Sequence, residues 1–136
     1  MKMSCLCGAV QFEILGSAKY FGFDHCSRCR KATGSAFAAE LICNAANFRW
    51  IAGSLLVNTY EAPVRISAPG YRRASCTFCG GPVPIVDDRE VNVPAGTLDD
   101  DPALRPSAHI FVDFKAPWFE ITDSLRRFGT KPRPTY

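Results

Sequence analysis

The stretch CTFCGG, residues 76–81, holds two cysteines three positions apart, followed by two glycines. A C-x2-C pair before glycine is typical of a zinc-knuckle turn, in which both sulfurs face one ion and backbone N–H groups bond the thiolates. Such a turn needs a positive φ, which glycine adopts without strain. A structural zinc site takes four ligands, so Cys76 and Cys79 need two more.

Two other cysteine pairs are candidates for completing this site. Cys5 and Cys7 form a C-x-C pair, whose side chains point the same way in an extended segment. Cys26 and Cys29 form a second C-x2-C pair, and two such pairs make the commoner zinc ribbon. The spacing leaves both choices open. If Cys5 and Cys7 join the knuckle, the other pair remains as an open site beside a carboxylate and a histidine, and an open position is what zinc catalysis needs.

Length and composition limit the class of protein. A chain of 136 residues predicts one domain, and 47% hydrophobic with 21% charged residues excludes disorder over the whole chain. A net charge of +3 is too small to demand a nucleic-acid or membrane partner, so we expect neither. Gln11 and Glu13 interrupt any signal-peptide core, and no apolar run approaches the ~18 residues of a spanning helix.

The cysteine count then favours metal binding over disulfides. The default location of such a chain is the cytoplasm, where thiols stay reduced. Seven cysteines cannot all pair within one chain, and six of them fall into three close pairs. The seventh, Cys43, stands alone in an apolar run, and we expect it to be a buried small hydrophobe.

Short segments separated by glycine and proline predict a mainly β domain of short antiparallel strands with little helix. Within the first long segment, Val10, Phe12 and Ile14 alternate onto one face. The predicted strands are 8–15, 19–24, 48–51, 55–60, 71–75, 90–93, 108–114 and 118–121, while 35–43 is balanced between strand and helix.

Helix is predicted only as single turns. Residues 27–34 are compatible with one turn, and 101–106 carries the start signals of another, with Asp101 at the N-cap and Pro102 at the first helical position. We place one domain at residues 1–127. The remaining residues, 128–136, are predicted to form a flexible tail.

Four segments together resemble the glutathione-dependent formaldehyde-activating enzyme family, which also contains centromere-protein-V-like proteins. The segments are SCLCGAVQFE (4–13), HCSRCRKATGS (25–35), CTFCGG (76–81) and HIFVDFKAPWFEI (109–121). Their order and spacing agree with the family over about residues 4–121. The resemblance implies the β-tent, a zinc-bearing mainly β fold.

The resemblance also implies two zinc sites. The structural zinc would be held by Cys5, Cys7, Cys76 and Cys79. The second zinc of the family uses a C-x-C-x2-C set, whose matching positions here are Asp24, Cys26 and Cys29. Asp24 therefore stands where the family has cysteine. A carboxylate also binds zinc, so the site is either a harder, weaker three-donor centre or a lost one.

The implied activity joins glutathione to formaldehyde to give S-hydroxymethylglutathione, or forms a related thiol adduct with another small electrophile. It is classified as a carbon–sulfur lyase after the reverse reaction. Asp24, Cys26 and Cys29 would be the catalytic residues. The alternative hypothesis is a zinc-stabilised binding module without catalysis, which Asp24 favours. A thiol redox enzyme using Cys26 and Cys29 is a third, but it needs a βαβ context that the pattern does not predict.

Glutathione carries two carboxylates, and residues after Cys29 are candidates to bind them. Arg30 and Lys31 would meet one carboxylate, while the backbone and hydroxyls of Thr33, Gly34 and Ser35 would meet the other. The alternative is that Arg30 and Lys31 are solvated surface charges.

Three further side chains have open roles. His25 faces away from both neighbours on an extended chain, so we expect a supporting or packing histidine rather than a ligand. His109 is expected to be a hydrogen-bonded structural histidine, with a proton shuttle as the alternative. Trp118 is expected to pack against the sheet, with a place in the pocket lining as the alternative.

Overall fold

A computed structural model of the chain describes residues 1–64 and 70–130. Its one α-helix, α1, spans Ser27–Thr33. The strands are β1 (Lys2–Ser4), β2 (Gln11–Ile14), β3 (Tyr20–Asp24), β4 (Ala38–Asn44), β5 (Phe48–Ala52), β6 (Val57–Glu61), β7 (Arg72–Cys76), β8 (Pro82–Val83), β9 (Ile85–Val86), β10 (Glu90–Pro94), β11 (Ala108–Ile110) and β12 (Arg126–Arg127). Short 3-10 turns lie at Ala45–Asn47, Ser54–Leu56, Ala95–Thr97 and Val112–Phe114. The mainly β prediction is confirmed.

The strands form three sheets in the described part of the chain. A six-stranded sheet has the order β12-β11-β3-β4-β10-β9, and two three-stranded sheets have the orders β1-β2-β5 and β6-β7-β8. Most pairs are antiparallel, as predicted, but β11 runs parallel to both β3 and β12. Long stretches of chain, 25–107 and 111–125, separate β11 from these two partners, as is necessary because a parallel pair cannot be joined by a tight hairpin.

The core lies between the sheets and contains three of the cysteines. Val10, Phe12 and Ile14 are all buried, so their predicted common face is the inner one. Cys5 and Cys76 belong to the same buried cluster as these side chains. Cys43 is fully buried as well, which confirms its prediction as a small core residue.

Three local predictions were wrong, each because a side chain or backbone angle ends the regular structure. Residues 101–106 form no helix, since Ala103 has φ 57° and the Asp101 carboxylate instead accepts from its N–H at 2.8 Å. The strand at 108–114 stops at Ile110, because Phe111 has φ 55° and a 3-10 turn follows. The strand at 118–121 is absent. There the Lys115 ammonium donates to nearby backbone carbonyls.

Helix α1 is short because it is bounded on both sides. Cys26, its N-cap residue, has a non-helical ψ of 139°, and Gly34 ends the helix in the left-handed region with φ 63°. The Gly34 N–H then bonds the carbonyl of Arg30, which is a common helix ending. The single turn predicted at 27–34 is therefore a two-turn helix that begins directly after Cys26.

The C-terminal boundary stays a prediction. Phe128 and Gly129 bond to the domain, with the Phe128 N–H donating to the His109 carbonyl at 2.9 Å. Residues 131–136 of the predicted tail lie outside the described residues. Over the residues that are described, no helix has the length and apolar character needed to cross a membrane.

Candidate active site

The first cluster of candidate metal ligands brings together two segments that are distant in the chain, 5–7 and 76–79. The four Sγ atoms of Cys5, Cys7, Cys76 and Cys79 lie within 4.8 Å of one another. Cys5 and Cys7 follow β1, with their sulfurs 3.6 Å apart, and Cys76 ends β7 with its sulfur 3.9 Å from that of Cys7. All four are free thiols. A closed set of four sulfur donors is typical of structural zinc.

Backbone N–H groups in this four-cysteine cluster favour thiolates. The Val10 N–H donates to Cys5 Sγ at 3.3 Å, and the Gly81 N–H donates to Cys79 Sγ at 3.4 Å. That second contact is the main cause that lowers the pKa of Cys79 to about 6. Gly80 has φ 68°, the positive angle that the knuckle turn predicted. The donor set and its hydrogen bonds fit a metal ion.

The second cluster consists of Asp24, Cys26 and Cys29, whose ligand atoms also lie within 4.8 Å of one another. Asp24 ends β3, and Cys29 is buried on the first turn of α1. The Cys26 N–H donates to Asp24 Oδ1 at 2.8 Å, which fixes the corner between strand and helix. Three protein donors match the pattern of catalytic zinc sites, which keep the fourth position for water or substrate.

The electrostatics of this Asp24 cluster reflect its partial burial. Burial raises the pKa of Asp24 to about 6. The Cys29 side chain is the main cause that lowers the pKa of Cys26 to about 5, while Cys26 raises the pKa of Cys29. The two sulfurs lie close enough for each to shift the pKa of the other. One carboxylate and two sulfurs are a chemically reasonable set for zinc.

A cleft of about 910 Å³ opens between α1 and the β6–β7 hairpin. Its lining is Arg28, Lys31, Ala32, Thr33, Tyr60, Ala62, Pro63, Tyr71, Arg73, Ala74, Ser75, Gly80 and Pro82. Three of these residues are cationic, and the Arg28 guanidinium lies 5.3 Å from the centre of the Tyr71 ring. Such a cleft suits an anionic molecule of small-peptide size.

Only some of the predicted glutathione-binding residues line the cleft. Lys31 and Thr33 line the cleft, whereas Arg30, Gly34 and Ser35 are absent from its lining. The Thr33 hydroxyl also bonds the Cys29 carbonyl at 2.9 Å, which ties it to the helix.

Sequence reasoning missed three cleft residues, Arg28, Tyr71 and Arg73. Arg28 lies between Cys26 and Cys29, so its position in the sequence could have identified it as a candidate binding residue. Nothing in the spacing brings Tyr71 or Arg73 to the helix, because some forty residues separate these segments.

Behind the Asp24 cluster lies a line of hydrogen bonds from His25 to His109 to Asp123. His25 Nε2 is 2.8 Å from His109 Nδ1, and His109 Nε2 is 3.0 Å from the Asp123 carboxylate. Both histidines are buried, and burial lowers the pKa of His25 to about 4. His25 is not among the clustered ligand atoms and His109 is hydrogen-bonded, as predicted for both. Sequence reasoning missed Asp123.

Trp118 differs from its prediction. Its side chain is 71% exposed, so it does not pack against the sheet. It lines a second, shallower cavity with Lys115 and Arg127, on the surface formed by the loop that replaced the predicted final strand.

Comparisons with known proteins identify the family of the chain. A family model described as "Glutathione-dependent formaldehyde-activating enzyme" matches residues 1–114. A protein of Halomonas elongata named "Putative glutathione-dependent formaldehyde-activating enzyme" is 30% identical over 124 residues, which covers 87% of this chain and 78% of the relative. The crystal structure of a Rhodobacter sphaeroides structural-genomics target shares the fold at a TM-score of 0.56. The two sequences are 23% identical, and the match covers 90% of that chain and 74% of this one.

Proposed function

The chain belongs to the glutathione-dependent formaldehyde-activating enzyme family, and on that premise we propose that it joins glutathione to formaldehyde to give S-hydroxymethylglutathione. The observation that carries the proposal is a three-donor cluster, Asp24 with Cys26 and Cys29, next to a cationic cleft. A carbon–sulfur lyase needs these two features, a place for the sulfur and a place for the rest of the thiol. We assign the reaction to the cytoplasm, where glutathione stays reduced.

The two clusters take different roles in this proposal. The four-cysteine cluster would hold zinc that stabilises the fold. Asp24, Cys26 and Cys29 would hold the second zinc, whose chemistry is to lower the pKa of a bound thiol so that the nucleophilic thiolate forms at neutral pH. The protein's own task is to hold the tripeptide so that its sulfur meets this cluster.

The cleft supplies that binding. Glutathione has two carboxylates, and Arg28, Lys31 and Arg73 are the cations of the cleft lining. Arginine bonds a carboxylate with two parallel N–H donors, so Arg28 and Arg73 are the stronger candidates. Arg28 also neighbours Cys29 in the chain, which keeps the anionic substrate close to the second cluster.

The proposal is tested by measuring glutathione and formaldehyde interconversion with exchange NMR, above the uncatalysed rate. Arg73→Ala should raise the KM for glutathione about tenfold and change kcat by less than about twofold, because the cation acts in binding alone. The control is Arg89→Ala, which removes an exposed arginine outside the cleft lining. Cysteamine, a thiol without carboxylates, should not distinguish the Arg73 variant from the parent. An unchanged glutathione KM would contradict the assignment of the cleft.

One observation favours a second candidate function, a zinc-stabilised binding module without catalysis. Asp24 stands where the family motif has cysteine, and fewer thiolates hold zinc less tightly. Elemental analysis of protein purified without added metal separates the two. About two zinc ions per chain would support the enzyme, while about one would support the binding module, since the four-cysteine cluster alone would then be filled.

A further inference from the structure

The Tyr71 hydroxyl is a buried hydrogen-bonding group with no partner among the residues that the structure describes. Its ring lines the cleft under the Arg28 guanidinium. Its backbone carbonyl accepts from the Ala62 N–H at 2.8 Å, so the hairpin holds the residue in place. A buried hydroxyl without a partner is unfavourable in a finished protein interior, and such groups at a site commonly bond a ligand.

The neighbours of this hydroxyl connect it with the second cluster. The Tyr71 ring lies 5.3 Å from the guanidinium of Arg28, the residue directly before Cys29 in the chain. A phenol hydroxyl is a hydrogen-bond donor, and none of the residues that the structure describes accepts from this one. It lies where the cleft meets the residues that the proposed function assigns to sulfur chemistry.

Other hydroxyls of the cleft are less suited to meet the reacting atoms. Thr33 already donates to the Cys29 carbonyl at 2.9 Å. Tyr60, the other tyrosine of the lining, is 62% exposed, so water competes for its hydroxyl. A donor shielded from water stabilises developing charge better than an exposed one, because the local dielectric constant is lower.

We infer that Tyr71 is a catalytic residue, which donates a hydrogen bond from its hydroxyl to the carbonyl oxygen of the aldehyde. This inference rests on the proposed function. The thiolate sulfur attacks the carbonyl carbon, the sulfur–carbon bond forms, and the π electron pair moves onto oxygen. The proton that the thiol gave up ends on that oxygen as the hydroxyl of the product. Tyr71 stabilises the oxygen while its negative charge develops, and it keeps its own proton overall.

The test is Tyr71→Phe, which removes the hydroxyl and keeps the ring under Arg28. Losing one donor to a developing oxyanion typically costs about 10²-fold in kcat, and we expect that loss with a glutathione KM within about twofold of the parent. Tyr20→Phe is the matched control, because it removes another buried hydroxyl without a described partner, outside the cleft lining, and its kcat should equal that of the parent. Zinc content and melting temperature should be the same in all three proteins.

The other outcomes would contradict either the role of Tyr71 or the proposed function. A Tyr71→Phe enzyme with the parent's kcat would overturn the inference and leave the proposed function intact. A raised KM with unchanged kcat would also overturn it, since the hydroxyl would then serve ground-state binding. If the zinc-loaded parent does not accelerate the reaction at all, the proposed function fails, and the role of Tyr71 fails with it.

Discussion

The two clusters differ in where their ligands come from along the chain and in what surrounds them. The four-cysteine cluster joins residues 69 positions apart, Cys7 and Cys76, and two of its members lie in the core. The Asp24 cluster comes from six consecutive residues, 24–29, and adjoins an open cleft. Four ligands from distant segments hold those segments together and fill the coordination of a zinc ion. Three ligands from one segment leave the fourth coordination position open for a substrate.

One strand connects the two regions. β7 ends at Cys76, in the first cluster, and Tyr71 and Arg73 lie at its other end, in the cleft. Loss of the four-cysteine cluster would therefore also displace the side chains that face the substrate. Loss of the Asp24 cluster should leave the four-cysteine cluster in place, because the ligands of the Asp24 cluster all come from residues 24–29 and none lies on β7.

The largest effect that tests this difference is expected from Cys76→Ser. Structural zinc contributes directly to folding, so this variant should lose its cooperative melting transition in circular dichroism. Cys29→Ser, in the other cluster, should keep the transition and lose only the second zinc. A Cys76→Ser protein that melts like the parent would remove the distinction between the clusters.

Cys43→Ser is the matched control for burial. Cys43 is as buried as Cys76 but lies outside both clusters. The introduced hydroxyl should cost about 1–3 kcal/mol, and the domain should still fold cooperatively. Equal loss of folding in Cys43→Ser and Cys76→Ser would mean that burial, and not metal binding, explains the effect.

A smaller effect is expected from Asp24→Cys, which makes the two clusters more alike. A thiolate is a softer ligand than a carboxylate, so the second zinc should be held about tenfold more tightly in chelator competition. Asp24→Asn keeps the size of the side chain and should weaken retention. Equal zinc affinity in the parent and the cysteine variant would show that Asp24 does not limit metal binding.

The smallest effect is expected from Asp123→Ala, which alters the support of the second cluster without touching a ligand. The change leaves the buried His109 Nε2 without its partner, and the free energy of unfolding in urea should fall by about 1–2 kcal/mol. Zinc content should stay the same. Asp88→Ala, at an exposed aspartate with no hydrogen bond among the described contacts, should have no effect. A loss in unfolding free energy well above about 2 kcal/mol, or a lost zinc, would contradict this prediction.

Local patterns predicted the elements that depend on local causes. The alternation of Val10, Phe12 and Ile14 identified a buried face, and the glycine after Cys79 identified a turn with positive φ. The predictions for 101–121, one helical turn and two strands, were less accurate. There Phe111 has a positive φ and a lysine side chain binds the carbonyls, and neither leaves a signal in a hydrophobic pattern.

The sequence alone determined the mainly β class, the family and the candidate metal ligands, because cysteine spacing and strand alternation act over a few residues. It left open which pair completes the four-cysteine cluster, and it named only part of the cleft. Tertiary structure decided both, since Cys7 meets Cys76, and Tyr71 meets α1, only when sheets formed by distant segments pack together. Contacts of that kind depend on the packing of the whole domain, and no local spacing encodes them.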